Sequence, residues 1–250
     1  FPGQVYVLRV PSLPVFGIYK IPFQTDAGGI TVSVEVEGET STYRRVAPGE
    51  TLTKRLGYRE GRVIINPVEP VNLPSEVTGM LEFHFTPVTL RPSSRIPVCL
   101  KFPVEIGVFV GAAENYTLLD VFSLARPKYS LYGTPENGFI TRHVECEVFE
   151  SAPPTDPLKE GVLFLAIRNS GRDWVEVSRA VFDVSALRIF HGRMVAISGE
   201  MEVFSRLVAE TRVLDLPPEE GMKQSLRVFP TKRLLIPEKQ PCMMEYGVGE

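Results

Sequence analysis

The amino-acid sequence predicts an all-β protein, and its composition, alternation and turn residues each favour this class. The 250 residues include 31 Val and 15 Phe but only 11 Ala. This mixture suits strands better than helices, because Ala is the best helix former and β-branched side chains lose rotamer freedom in a helix. The 22 Pro and 20 Gly leave few uninterrupted windows long enough for a helix.

Alternating apolar and polar residues mark the strands of the first half. Across residues 30–37, apolar side chains alternate with Thr, Ser and Glu, which is typical of a strand with one buried and one solvated face. The turn residues at 25–29 come directly before it, so residues 18–23 and 30–37 are predicted to be the arms of a hairpin. Further strands are predicted at 80–86 and 97–110.

The second half repeats this pattern of short strands and turns, which is typical of β-sandwiches. Its predicted strands are 139–149, 162–168, 174–182, 187–190, 194–204, 208–214 and 226–229. Residues 111–115 are small and polar between two apolar runs and suggest a boundary. We therefore predict two tandem antiparallel β-sandwich domains, immunoglobulin-like or jelly-roll-like, at 1–112 and 113–250. A single larger sandwich is the alternative.

Charge and hydropathy limit the partners. The 27 Lys and Arg residues nearly balance 30 Asp and Glu residues, for a net charge of -3, whereas a nucleic-acid binder usually carries a strongly basic face. Charged residues interrupt every long apolar run, so no transmembrane segment of about 18 residues is predicted. We expect an unknown protein or a small ligand as partner, and no nucleic acid.

The cysteine and amide content predicts the setting of the protein. Cys99, Cys146 and Cys242 share no C-x-x-C spacing, and no secretory signal is visible, so a reducing, cytoplasmic location is expected. Asn and Gln together number 9, against 24 Glu and 19 Arg. This balance favours a thermophilic source, because amides are thermolabile and ion-pair networks gain value with temperature.

No motif of an easily recognised enzyme class occurs in the chain, and nothing in the sequence brings a Ser next to a His with an orienting acid. Alternation places His143 and Cys146 on opposite faces of one strand, so a metal site that uses both would need a bulge. His143, Glu145 and Glu147 share a face and are a weaker alternative for a cation. We predict no catalytic residue, no metal site and no cofactor.

The most distinctive segment is 128–142, in which two tyrosines precede the loop sequence Gly-Thr-Pro-Glu-Asn-Gly. Rigid aromatic surface beside amide, carboxylate and guanidinium groups suits recognition. The predicted ligand-binding residues are Tyr129, Tyr132, Glu136, Asn137 and Arg142. The alternative is a plain turn between strands, with Asn137 and Gly138 required for their backbone angles and the tyrosines packed at the edge of the core. Trp174, the sole tryptophan, is expected to be a buried anchor of the sandwich.

Segment 128–142, followed by Glu147-Val148 and by Trp-Val-Glu-Val-Ser-Arg at 174–179, resembles the second half of an archaeal family of uncharacterised proteins of about this length. The resemblance runs over most of the chain. It implies a prokaryotic, cytoplasmic setting and carries no assigned activity, cofactor or catalytic residue.

These observations predict a non-catalytic binding or protein-interaction module, because sandwiches offer sheet edges and loop ends as docking surfaces. The alternative is a carbohydrate-active enzyme or other hydrolase with carboxylates from separate strands. A third alternative is a structural subunit whose exposed edge strands assemble into a homo-oligomer or with a membrane-associated partner.

Overall fold

The computed structural model describes residues 15–70, 77–112, 115–228 and 242–243. Its elements are almost all strands, and a short 3-10 turn covers Val184–Ala186. This confirms the all-β class. The strands are β1 (Gly17–Lys20), β2 (Phe23–Asp26), β3 (Thr31–Glu37), β4 (Thr40–Ala47), β5 (Glu50–Leu56), β6 (Arg62–Val68), β7 (Met80–Leu90), β8 (Arg95–Pro103), β9 (Glu105–Ala112), β10 (Asn115–Phe122), β11 (Tyr129–Tyr132), β12 (Phe139–Cys146), β13 (Glu160–Asn169), β14 (Val175–Asp183), β15 (Phe190–His191), β16 (Val195–Val203), β17 (Val208–Leu214), β18 (Lys223–Gln224) and β19 (Cys242–Met243).

The chain folds into two compact units. Among the described residues, unit 1 holds those up to Asn66 together with Val108–Leu119, and unit 2 holds Pro67–Gly107 and those from Asp120 onward. Strands β9 and β10, which flank the predicted boundary at 111–115, are neighbours in one sheet of the order β1-β6-β9-β10. The number of domains and the tandem division at residue 112 stay predictions.

Unit 1 contains an antiparallel meander of the order β2-β3-β4-β5. Its inward side chains include Val32, Val34 and Tyr43, which are fully buried. The predicted hairpin arm at 18–23 is divided, because residues 23–26 pair with β3 whereas residues 17–20 pair with β6. Pro22 lies between the two short strands, and a proline has no N–H to donate to a continuous ladder.

Unit 2 is built from two sheets. The first sheet has the order β11-β12-β7-β14, and the second has the order β18-β15-β16-β13-β8, with β17 also paired to β16 and β19 paired to β17. Most strand pairs are antiparallel, but β12 with β7 and β13 with β16 are parallel.

The two sheets of unit 2 face each other, as expected for a sandwich. Gly199 on β16 is so close to β14 that an added Cβ would lie 3.3 Å from the Phe182 ring. The Thr211 hydroxyl donates to the Val181 carbonyl and joins β17 to β14. The core between the sheets is built of buried apolar side chains, among them Leu81, Phe83, Phe102, Leu163 and Leu165.

Three predictions for unit 2 are wrong. Of the predicted strand 187–190, Phe190 lies in β15, whereas residues 187–189 form no strand. Trp174 is 61% exposed rather than a buried anchor, because it precedes β14 and the inward positions of that strand begin with Val175 and continue with Val177. Leu226, Arg227 and Val228 form no strand, while Phe229, the last residue of that predicted strand, lies outside the described residues. In the described part of the chain, no helix has the length and apolar character needed to cross a membrane.

Candidate functional site

The distinctive segment folds as the hairpin β11–β12, in which Tyr129 faces Arg142 and Tyr132 faces Phe139. Its loop is closed by a hydrogen bond of 2.6 Å from the Gly138 N–H to the Thr134 carbonyl. The left-handed backbone belongs to Gly133, at a φ of 101°, and not to Asn137 or Gly138. Glycine is therefore required at the entry of the loop, where a Cβ would also meet the Gly138 backbone at 2.9 Å.

The five predicted ligand-binding residues do not converge on one surface. Tyr132 is buried, with its ring centroid 5.3 Å from that of Phe139, and Glu136 and Asn137 are exposed at the loop. Tyr129 and Arg142 are brought together at the opposite end of the hairpin. Ligand binding by this set of residues stays a prediction.

Arg142 points into the interior of unit 2. Its side chain is 2% exposed, and its Nη1 donates to Oε1 of the fully buried Glu105 at 2.8 Å. Burial raises the pKa of the neighbouring Tyr129, and the Arg142 charge opposes that rise. Each charge of the Arg142–Glu105 pair compensates the other, because an isolated charge is expensive to bury. The guanidinium is therefore paired in the interior and does not stand free at the surface.

Glu82 on β7 is also buried, although alternation predicts a solvated face for it together with His84 and Thr86. The hydroxyls of Ser130 and Thr141 each donate to its Oε2 at 2.6 Å. On the same carboxylate, Oε2 lies 3.8 Å from His143 Nδ1, and Oε1 lies 3.8 Å from Arg179 Nη1. Side chains from the neighbouring strands cover Glu82, and sequence alternation alone does not reveal this.

A cleft of ≈ 920 Å³ lies beside this end of the hairpin, and all its lining residues belong to unit 2. Its apolar lining comes from both sheets and the segment that follows β12, and includes Phe85, Phe102, Val144, Cys146 and Phe149. Burial raises the pKa of the Cys146 thiol to about 11, so this thiol is protonated and unreactive at neutral pH. The cleft therefore offers an apolar wall without an activated cysteine.

The polar rim of the cleft carries charges of both signs. Some are already neutralised, since Lys101 pairs with Glu160 at 3.1 Å and Lys159 pairs with Asp156 at 3.4 Å. Four other charged side chains of the rim make no ion pair with any residue that the structure describes. These are Arg126 and Lys128, which precede β11, and Glu145 and Glu147, at and beyond the end of β12.

His143 completes the rim. Its Nδ1 is buried and has no hydrogen-bond partner within the described ranges, and its ring centroid lies 6.0 Å from that of His84. The alternative in which His143, Glu145 and Glu147 hold a cation has no geometric support. Nowhere in the described part of the chain do three His, Cys, Asp or Glu side chains converge as a metal site requires.

A second cleft, of ≈ 980 Å³, also lies in unit 2. Among its lining residues, Glu200 accepts a hydrogen bond of 3.1 Å from Arg95 and another from Arg212. The hydrogen bond from Arg212 lowers the pKa of Glu200. Other charged side chains of this cleft, among them Arg168 and Glu210, make no ion pair with any described residue, as is also true at the rim of the ≈ 920 Å³ cleft.

A family model described as "Protein of unknown function (DUF432)" matches residues 15–245. The chain belongs to the DUF432 family. This confirms the resemblance to an uncharacterised family, while the archaeal origin stays a prediction. Comparison of this DUF432 protein with curated proteins and with solved structures finds no match.

Proposed function

We propose that unit 2 of this DUF432 protein is a binding module that holds a small amphoteric molecule in the ≈ 920 Å³ cleft. The ligand class is that of amino acids and short peptides, which combine an apolar body with an acidic and a basic group. The observation that carries the proposal is the rim, where Arg126, Lys128, Glu145 and Glu147 stand without ion-pair partners in the described residues above an apolar lining.

The size and lining of the cleft support a small ligand. Binding pockets for small molecules measure roughly 300–1,000 Å³ and combine apolar walls with a few polar groups that orient the ligand. Phe85, Phe102 and Phe149 supply the walls of this cleft. A neutral apolar ligand would leave the rim charges without partners, so the charges select for a molecule that satisfies them.

The charged rim offers partners for both the acidic and the basic group of the proposed ligand. Lys128 and Arg126 would bind the ligand carboxylate, and Glu145 and Glu147 would bind its amine, through charge-assisted hydrogen bonds. Lys128 is fixed beside the cleft because its carbonyl accepts a hydrogen bond of 2.9 Å from the His143 N–H. Arg142, one of the predicted binding residues, contributes to the lining but is already paired with Glu105.

Calorimetric titration with free amino acids and dipeptides tests the proposal. Each probe is matched by its N-acetylated and its C-amidated form, which remove the basic and the acidic charge in turn. We expect the unmodified forms to bind tighter by about tenfold or more than either blocked form, since a charge-assisted hydrogen bond contributes about 1.5–3 kcal/mol. Equal affinity for blocked and free forms, or no binding by any probe, would contradict the proposal.

Two variants test which rim residues bind the carboxylate and which bind the amine of the ligand. Lys128→Ala is expected to abolish the preference for the free carboxylate, and Glu145→Gln is expected to abolish the preference for the free amine. Lys20→Ala, at an exposed residue outside the cleft, is the control. Asn137→Ala tests the alternative site at the hairpin loop, because a loss of affinity in this variant alone would assign binding to the loop.

We also infer a reducing, cytoplasmic and thermophilic setting, as the composition predicts. The free thiols of Cys99 and Cys146 support a reducing environment. The hydrolase alternative and the homo-oligomer stay predictions. Hydrolysis of a probe during the titrations would favour the hydrolase. Light scattering measures whether the protein forms a homo-oligomer.

A further inference from the structure

Two loops at one end of the unit 2 sandwich expose apolar and basic side chains together. Residues 170–174 connect β13 to β14, and residues 204–207 connect β16 to β17. Trp174 is 61% exposed, Leu207 54% and Phe204 41%. We call these three side chains, with the exposed Arg172 and Arg206 beside them, the Trp174 patch. It shares no residue with the ≈ 920 Å³ cleft.

Hydrogen bonds order the first loop and join it to the end of β16, where the second loop begins. The Ser170 N–H donates to the Val203 carbonyl at 2.8 Å. The Asn169 side chain bridges the loop, since its Nδ2 donates to the Asp173 carbonyl at 2.8 Å and its Oδ1 accepts from the Gly171 N–H at 2.9 Å. A Cβ at Gly171 would lie 2.7 Å from the Phe204 carbonyl oxygen, so the two loops are in close contact.

The second loop is a tight turn with an ordered tip. The N–H groups of Phe204 and Ser205 both donate to the Val208 carbonyl, at 2.9 and 3.2 Å. The Leu207 N–H donates to Ser205 Oγ at 3.2 Å. These hydrogen bonds stabilise the turn, while the side chains of Arg206 and Leu207 remain exposed. The Trp174 patch is preformed and needs no folding step before it binds.

The charge of the two loops favours a negatively charged partner. Arg172 and Arg206 make no ion pair with any described residue, and the acid between them in these loops is Asp173. An exposed patch of large apolar side chains marks an interaction site in general. The combination of Trp, Phe and Leu with arginines is the one found on surfaces that enter the interface of an anionic bilayer.

We propose that the Trp174 patch docks the protein on an anionic lipid surface. Trp174, Phe204 and Leu207 enter the boundary between headgroups and acyl chains, and Arg172 and Arg206 contact lipid phosphates. The indole ring has an apolar body and a polar N–H, which suits this boundary. Basic residues near such a surface add electrostatic attraction that salt screens.

The sole tryptophan of the chain makes the test direct, because all indole fluorescence reports on Trp174. The full chain is mixed with vesicles of phosphatidylcholine alone or of phosphatidylcholine with phosphatidylglycerol. We expect a blue shift of the emission and co-sedimentation with the phosphatidylglycerol vesicles only. Both signals are expected to weaken as the salt concentration rises.

Variants of the second loop separate the apolar from the electrostatic contribution. Leu207→Ser is expected to lower vesicle partitioning about tenfold, through the loss of buried apolar surface. Arg206→Glu is expected to lower partitioning and to reduce its salt dependence. Leu216→Ser removes a leucine outside both loops that is at least as exposed as Leu207 and is expected to leave partitioning unchanged.

Four outcomes would overturn the proposal. One is an unshifted emission with phosphatidylglycerol vesicles, and another is a loss in Leu216→Ser as large as in Leu207→Ser. A blue shift that grows with protein concentration without vesicles would assign the Trp174 patch to a second copy of the chain. The same shift with soluble polyglutamate would assign it to an acidic protein partner.

Discussion

The guanidinium of Arg142 donates to the carboxylate of Glu105 at 2.8 Å, and both side chains are excluded from solvent. The pair joins β12 to the start of β9 within unit 2. Each charge is tolerated in the interior because the other compensates it. Arg142, one of the predicted ligand-binding residues, is therefore already paired in the interior, and its role in ligand binding stays a prediction.

Removal of one partner of this pair is expected to destabilise the protein strongly. Arg142→Met leaves Glu105 as an unpaired buried charge and should cost about 3–5 kcal/mol in the free energy of unfolding. Denaturant titration measures this cost. Replacement of both residues by apolar side chains should recover most of it. The control is Arg59→Ala, which removes an exposed pair with Glu39 and should cost under about 1 kcal/mol. An equally small effect of Arg142→Met would show that Glu105 does not depend on Arg142 for compensation of its charge.

The hydroxyl donors to Glu82 give a second prediction. Thr141→Val removes a hydrogen bond of 2.6 Å to a buried carboxylate and should destabilise the protein by about 1.5–3 kcal/mol. Thr89→Val, at an exposed position of β7, is the matched control and should change the stability by less than about 0.5 kcal/mol. In a double-mutant cycle with Glu82→Gln, additive effects would show that the hydroxyl and the carboxylate are not coupled.

Gly161 is expected to tolerate no side chain. A Cβ there would lie 2.5 Å from the Phe102 ring and 2.9 Å from the Val195 carbonyl oxygen. Because backbone on one side and a buried ring on the other leave no space, Gly161→Ala should destabilise unit 2 by about 1–3 kcal/mol or more. Gly79→Ala, where nothing lies within 4 Å of the added Cβ, is the control. Equal thermal midpoints for the two variants would refute this prediction.

The raised pKa of the Cys146 thiol predicts that the stability of the protein and the alkylation rate of this thiol depend on pH. Its pKa of about 11 exceeds the ordinary value of 9.0 because burial disfavours the thiolate. The native protein therefore holds this proton between pH 9 and 11, where the unfolded chain has released it, so the Cys146 contribution to stability falls as the pH rises through this window. The alkylation rate of the Cys146 peptide, followed by mass spectrometry, should keep rising beyond pH 9 in the native protein. A plateau near pH 9 in the native state would contradict the shift.

Local alternation accounts for much of the fold. The pattern at residues 30–37 predicted the strand Thr31–Glu37, and residues 208–214 were predicted as the strand that the structure contains. Alternation also contains evidence for the buried Arg142–Glu105 pair, although that pair was not predicted. Alternation places Arg142 on the face of Val144 and Cys146, and a charge on an apolar face requires a buried partner.

The sequence by itself determined the strand class, the approximate strand positions and the face on which each side chain lies, because these depend on neighbouring residues along one strand. Only the tertiary structure decided which faces are covered. The partner of Arg142 lies 37 positions away in the chain, and Ser130, which donates to Glu82, lies 48 positions away. Burial depends on which distant strands become neighbours, and a two-residue period carries no information about that pairing.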